Sequence, residues 1–146
     1  MANERLVYVV DDDDAVRRSA AFMLRHAGYK VHPVESGVAF LKLATNAERG
    51  CVLLDVRMPD MDGLQVQQRM NQDGIDMPVV ILTGHGDVEI AVQAMRAGAV
   101  NFLEKPYEKE ALLAALDEAF ARLEDENLKE MAASEAKVRL ACLTGR

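Results

Sequence analysis

A parallel β-sheet covered by helices on both faces is the architecture that this 146-residue sequence predicts. Two observations carry it. Strand-length apolar runs alternate with helical periodicity five times, the order of a βαβ fold. Several of those runs, Cys51 to Leu54 among them, are apolar at every position, as suits strands buried on both faces.

Leu6–Val10 is the first buried strand, followed at once by Asp11, Asp12, Asp13 and Asp14. Val16, Ala20, Met23, Leu24 and Ala27 then fall at helical spacing, with Gly28 as the stop. Lys30–Val34 is a weaker strand. Its Pro33 has no N–H for a ladder, which places the strand at a sheet edge. Ser36 caps a second helix running to about Asn46.

The third strand begins at Cys51 and ends in a single carboxylate, Asp55, before the turn-forming stretch Met58-Pro59-Asp60-Met61-Asp62-Gly63. Asp62 caps a third helix from about Gly63 to Asn71. Pro78–Leu82 reads as the fourth strand, and Thr83-Gly84-His85-Gly86-Asp87 follows. The fourth helix carries Val88, Ala91, Val92 and Met95 on one face and is closed by Gly98. Ala99–Leu103 is the fifth strand, ended by Glu104-Lys105-Pro106. Leu112, Leu113, Leu116, Phe120 and Leu123 mark an amphipathic last helix.

Beyond Leu123 the apolar stripe thins, with Asn127, Met131, Ser134 and Val138 on one seam, as in a linker helix or weak coiled coil. The expected organisation is a domain over residues 1–123, a helical linker over 124–140 and a distinct terminal stretch over 141–146.

Composition narrows the function. Half the residues are hydrophobic and 28% are charged, a globular balance. No apolar run approaches membrane-spanning length, and Met1-Ala2-Asn3-Glu4-Arg5 has no signal-peptide pattern, so the chain reads as cytoplasmic, with no membrane partner. A net charge of −7 argues against nucleic-acid binding by these residues. Cys51 and Cys142 suggest neither a disulfide framework nor a metal-ligand spacing.

With the strands adjacent in one sheet, the ends of the first, third, fourth and fifth bring Asp11, Asp12, Asp55, Thr83 and Lys105 to one edge, where open α/β sheets place their chemistry. Like charges about 4 Å apart repel by on the order of 4 kcal/mol at an effective dielectric of 20. A divalent cation offsets that, and a hard-oxygen site with few protein carboxylates suits Mg²⁺ better than Ca²⁺. A carboxylate beside such an ion is a competent phosphoryl acceptor. Lys105 adds positive charge, Thr83 has a hydroxyl to donate, and Gly84 leaves its backbone N–H approachable. Each residue alone has an ordinary structural explanation, such as a helix-start charge or a turn aspartate. Their coincidence at the ends of four strands does not.

Val9-Val10-Asp11-Asp12-Asp13, Asp55-Val56-Arg57-Met58-Pro59-Asp60-Met61-Asp62-Gly63, Leu82-Thr83-Gly84-His85-Gly86-Asp87 and Phe102-Leu103-Glu104-Lys105-Pro106 together resemble the receiver domain of two-component response regulators over about residues 5 to 123. The wording of the last two segments is similar to the FixJ-like transcriptional regulators. The resemblance implies a flavodoxin-like (CheY-like) doubly wound sheet of strand order 2-1-3-4-5. It implies Asp55 as phosphoacceptor, and Mg²⁺ held by Asp11, Asp12, Asp55 and the backbone carbonyl of Arg57. Thr83 and Lys105 become the switch hydroxyl and the phosphate-binding lysine. The resemblance further implies Phe102 as the rotating aromatic, Arg57 and His85 as the positions that tune the phosphoryl lifetime, and a cis Lys105-Pro106 bond. Asp60 stands where a glycine is often found, and Asp13 and Asp14 are helix-start charges rather than ligands.

The implied partners are a sensor histidine kinase and a second copy bound through helix 4, strand 5 and helix 5, with the linker helix contributing. Ala141-Cys142-Leu143-Thr144-Gly145-Arg146 resembles the start of the helix-turn-helix output domain of LuxR/FixJ-type regulators, so DNA recognition is expected of a domain beyond these residues. The reading is of a signalling phosphoacceptor rather than an enzyme. A stand-alone relay receiver shares every site residue. A haloacid-dehalogenase-type phosphatase wants a second aspartate where Arg57 stands, and a purely structural module would bind no Mg²⁺ near Asp55.

Overall fold

A computed structural model describes residues 5–84 and 86–125. The chain alternates β1 (Leu6–Val10), α1 (Asp14–His26), β2 (Lys30–Val34), α2 (Gly37–Ala44), β3 (Cys51–Asp55), α3 (Gly63–Gln72), β4 (Val79–Thr83), α4 (Val88–Arg96) and β5 (Asn101–Glu104). A last helix, α5, occupies 109–125. The five strands are parallel in the order β2-β1-β3-β4-β5. The linker and terminal stretch expected over 124–140 and 141–146 lie outside the described residues from 126 onward.

Strand alternation divides the core in two, because successive side chains leave a strand on opposite faces. Tyr8, Val10, Val52, Leu54 and Ile81 face one way and pack against Phe40 of α2, Val66 and Met70 of α3 and Ala94 of α4. Val7, Val9, Leu53, Val80 and Leu82 face the other, against Ala20 and Leu24 of α1 and Leu112, Leu116, Phe120 and Leu123 of α5. β1, β3 and β4 are buried at every position, whereas β2 at the edge buries only Val34. Pro33 is tolerated there, paired to Val9. Cys51 is a buried free thiol, pushed up to about 12 chiefly by burial.

Three local expectations shift. β4 starts at Val79, one residue late, because Pro78 contributes only its carbonyl, which accepts from the Val52 N–H at 2.9 Å. β5 starts at Asn101 rather than Ala99, because the Ala99 N–H turns back to the Ala94 carbonyl at the end of α4. The apolar face of α4 is also largely uncovered: Ala91 and Ala94 are buried, but Val88, Val92 and Met95 are 62%, 45% and 39% exposed. Phe102 of β5 lies beside them, 38% exposed. Among the described residues, no helix is long and apolar enough to cross a membrane.

Candidate functional site

The site forms where β1, β3, β4 and β5 end. Asp11 leaves β1 with its backbone N–H on the Val34 carbonyl, 3.1 Å away, and its side chain is 1% exposed. Asp12 is exposed beside it. Asp13 turns away to cap α1, accepting from the Ala15 and Val16 N–H groups, and Asp14 pairs with Arg17 and Arg18 in the first turn. The helix-start reading of these two aspartates holds. Arg17 also donates to the Asp11 carbonyl at 2.7 Å, pinning the strand end.

Asp55 ends β3 and is 6% exposed. The loop after it returns tightly, with the Gly63 N–H on the Val56 carbonyl at 2.9 Å. A Cβ at Gly63 would lie 2.9 Å from the Asp55 carbonyl oxygen and 3.0 Å from Val56 Cα, so only glycine fits. Asp62 then opens α3 through a reciprocal capping box with Gln65. Asp60 takes no left-handed conformation and accepts from the Val38 N–H, so the loop turns without the glycine often found there.

Lys105 enters from the far side. Its backbone N–H donates to the Thr83 carbonyl at 2.8 Å, its bond to Pro106 is cis, and its Nζ lies 3.1 Å from both Asp11 Oδ2 and Asp55 Oδ1. One ammonium thus bridges two buried carboxylates. Burial pushes the Asp55 carboxyl above its ordinary range and Asp11 adds to this, while Lys105 and the Arg57 backbone N–H oppose it. Burial alone would lower the Lys105 ammonium, but attraction to Asp55 and Asp11 outweighs it and the net direction is upward. Carboxylate oxygens of Asp11, Asp12 and Asp55 all fall within 4.8 Å of one another, a hard-oxygen donor set that fits Mg²⁺.

Thr83 is 1% exposed, and its hydroxyl donates to the Leu103 carbonyl at 3.4 Å. Gly84 follows, half-buried. Phe102 stands apart, on the surface with Val88, Ala91, Val92, Met95 and Arg96 around a depression of about 330 Å³. Arg57 is exposed, and its guanidinium forms a two-point pair with Asp87, Nε to Oδ2 at 3.0 Å and Nη2 to Oδ1 at 2.8 Å. His85 lies outside the described residues. The fold therefore gathers Asp11, Asp12, Asp55 and Lys105 directly, with Thr83 and Gly84 at the neighbouring strand end. Asp87, at the end of the Leu82–Asp87 segment, and Arg17, three residues after Asp14, are functional neighbours that carry no signal of their own in the sequence.

A 2-1-3-4-5 parallel sheet with a lysine-bridged carboxylate at the end of its central strand defines a receiver. Sequence comparison agrees: the response regulator receiver domain model matches residues 7–117, and the chain belongs to that family. Within it the chain is FixJ-like. The transcriptional regulatory protein FixJ of Azorhizobium caulinodans is 44% identical over 140 residues, 96% of this chain and 66% of that protein. Among solved structures, FixJ-N aligns with a TM-score of 0.77 at 42% identity, covering 80% of this chain and 94% of its own. Full-length FixJ from B. japonicum aligns at 0.82 and 41%, covering 96% and 69%. The chain thus spans about two-thirds of the length of these full-length relatives. Receiver domains are two-component signalling proteins rather than enzymes; they interact with histidine kinases and bind Mg²⁺ at an acidic pocket.

Proposed function

We propose that this chain is a phosphorylation-dependent switch in which Asp55 accepts a phosphoryl group from a sensor histidine kinase, or from a small phosphodonor. The observation that carries the reading is the buried Asp55 carboxylate, bridged with Asp11 by the Lys105 ammonium at 3.1 Å. An Asp55 carboxylate oxygen forms the bond to phosphorus as the bond from phosphorus to the kinase imidazole nitrogen breaks, and the imidazole leaves with the electron pair. Lys105 follows the negative charge from carboxylate to phosphoryl oxygen. Asp11, Asp12, Asp55 and the Arg57 backbone carbonyl would hold Mg²⁺, which when bound neutralises the carboxylates and the equatorial phosphoryl oxygens.

The phosphoryl group carries about −1.5 to −2 charge units and three acceptor oxygens at the sheet edge, where the free carboxylate carried −1. Thr83 exchanges the Leu103 carbonyl for a phosphoryl oxygen, the Gly84 N–H donates to another, and Phe102 turns into the space that Thr83 leaves. Arg57 and His85 set how long the phosphoryl group survives. The exposed apolar strip of Val88, Val92, Met95 and Phe102 supports dimerisation through α4, β5 and α5. A full off-to-on shift needs about 5.5 kcal/mol of differential free energy. The linker helix passes dimerisation to DNA-binding output domains in the cytoplasm, which places the protein in transcription regulation.

Intact mass after incubation with acetyl phosphate, with and without Mg²⁺, on wild type and Asp55→Asn, tests this directly. A single adduct that requires both Mg²⁺ and Asp55, with a larger size by exclusion chromatography, is expected. No adduct on the wild type would end the reading.

A further inference from the structure

The two-point pair between Arg57 and Asp87 joins loops 30 residues apart in sequence, one leaving the phosphoacceptor strand and the other entering α4. Asp87 is the N-cap residue of α4, yet its side chain makes no capping bond to that helix. Its carboxylate instead folds back toward the end of β4, where a Cβ at Gly84 would lie 3.2 Å from Asp87 Oδ2. The Arg57 guanidinium, by hydrogen bond and charge, holds the Asp87 carboxyl below the usual range, with a lesser contribution from the Gly84 backbone. The Arg57 guanidinium also feels the charge of Asp55. Asp87 thus occupies the Arg57 guanidinium, two residues past Asp55, and sits against the Gly84 backbone beside Thr83, positions that a phosphoryl group on Asp55 would call on.

We infer that Asp87 is a built-in stand-in for the phosphoryl group, a positioning residue that holds Arg57 until Asp55 carries an anion of its own. On phosphorylation the Arg57 guanidinium passes to phosphoryl oxygens, three strong acceptors against one carboxylate. The released Asp87 side chain then reaches the first-turn N–H groups of α4, which it leaves uncapped in the unphosphorylated chain. Competition at Asp87 links the chemistry at Asp55 to the start of the helix whose apolar strip is exposed. This inference rests on the phosphoacceptor reading above.

The test uses beryllofluoride with Mg²⁺ as a phosphoryl stand-in, its affinity measured by calorimetry on the wild type, Asp87→Asn, Arg57→Ala and the double variant. Asn keeps the shape and the helix-capping ability while removing the competing charge, and Asp87→Ser, also a good N-cap, is run beside it. Both single variants at Asp87 are expected to bind beryllofluoride about two- to fivefold more tightly, the range that an ion pair of this exposure supports. The gain is expected to shrink in the Arg57→Ala background, because Asp87 acts through Arg57. Unchanged or weaker affinity at Asp87→Asn and Asp87→Ser would leave Asp87 a structural residue and overturn the inference. An equal gain with and without Arg57 would reduce it to a through-space charge effect and overturn it too. Loss of binding in the wild type itself would instead bring down the phosphoacceptor reading beneath it.

Discussion

Lys105→Met removes the ammonium that bridges Asp11 and Asp55 while leaving most of the stem volume in place. Each contact at 3.1 Å is a gross attraction of about 5 kcal/mol at an effective dielectric of 20, partly cancelled by the cost of drawing the lysine out of water. Breaking a buried ion pair by deleting one partner costs about 3 to 5 kcal/mol, the loss expected of this variant in Mg²⁺-free buffer at pH 7.5. Urea melts measure it. The pH dependence has a definite sign. The folded Asp55 carboxyl is raised above its unfolded value, so the native state keeps that proton to higher pH than the unfolded chain does. Stability therefore falls as pH rises through the window from the ordinary carboxylate value to the raised one. Lys105 is among the groups that hold the Asp55 value down, so its removal extends that window upward, and the variant is expected to recover stability on acidification from pH 7.5 toward 5 more steeply than the wild type. Millimolar Mg²⁺ should recover much of the loss. A deficit under about 1 kcal/mol, insensitive to both pH and Mg²⁺, would match an ordinary surface pair and refute the reasoning.

Gly63→Ala is expected to cost about 2 kcal/mol in a urea melt, because its Cβ meets backbone at Asp55 and Val56 rather than a movable side chain, and to slow adduct formation with acetyl phosphate by displacing Asp55. Asp62→Ala removes the capping box of α3 and should lower stability by about 1 kcal/mol, read from the thermal or urea midpoint. Val92→Asp lies on the exposed strip of α4 and should change stability by less than about 0.5 kcal/mol, while the phosphorylated protein elutes as a monomer; an unchanged phosphorylated dimer would move the interface elsewhere.

The strands were legible because burial on both faces demands apolar residues at every position, as in Leu6–Val10 and Cys51–Leu54. The candidate site was legible for a related reason. Parallel strands all end at the same edge, so polar residues directly after four of them had to meet there. Ser36 and Asp62 announced their helices, since an N-cap needs a short side-chain acceptor. The boundaries of β4 and β5 were less legible, because they depend on where individual N–H groups at Pro78 and Ala99 find partners, and that is settled between elements rather than within them.

By itself the sequence determined the order of elements, the edge placement of β2 and the set of residues at the sheet's carboxyl end. Those follow from periodicity, from the proline that cannot donate, and from the single direction of a parallel sheet. Tertiary structure alone decided three further things. It placed one Lys105 nitrogen between two carboxylates, paired Arg57 with Asp87 across 30 residues, and left the apolar side of α4 uncovered by the described residues. Periodicity reports which side chains share a face, but distance across the chain and the presence of a covering element are properties of the packed molecule.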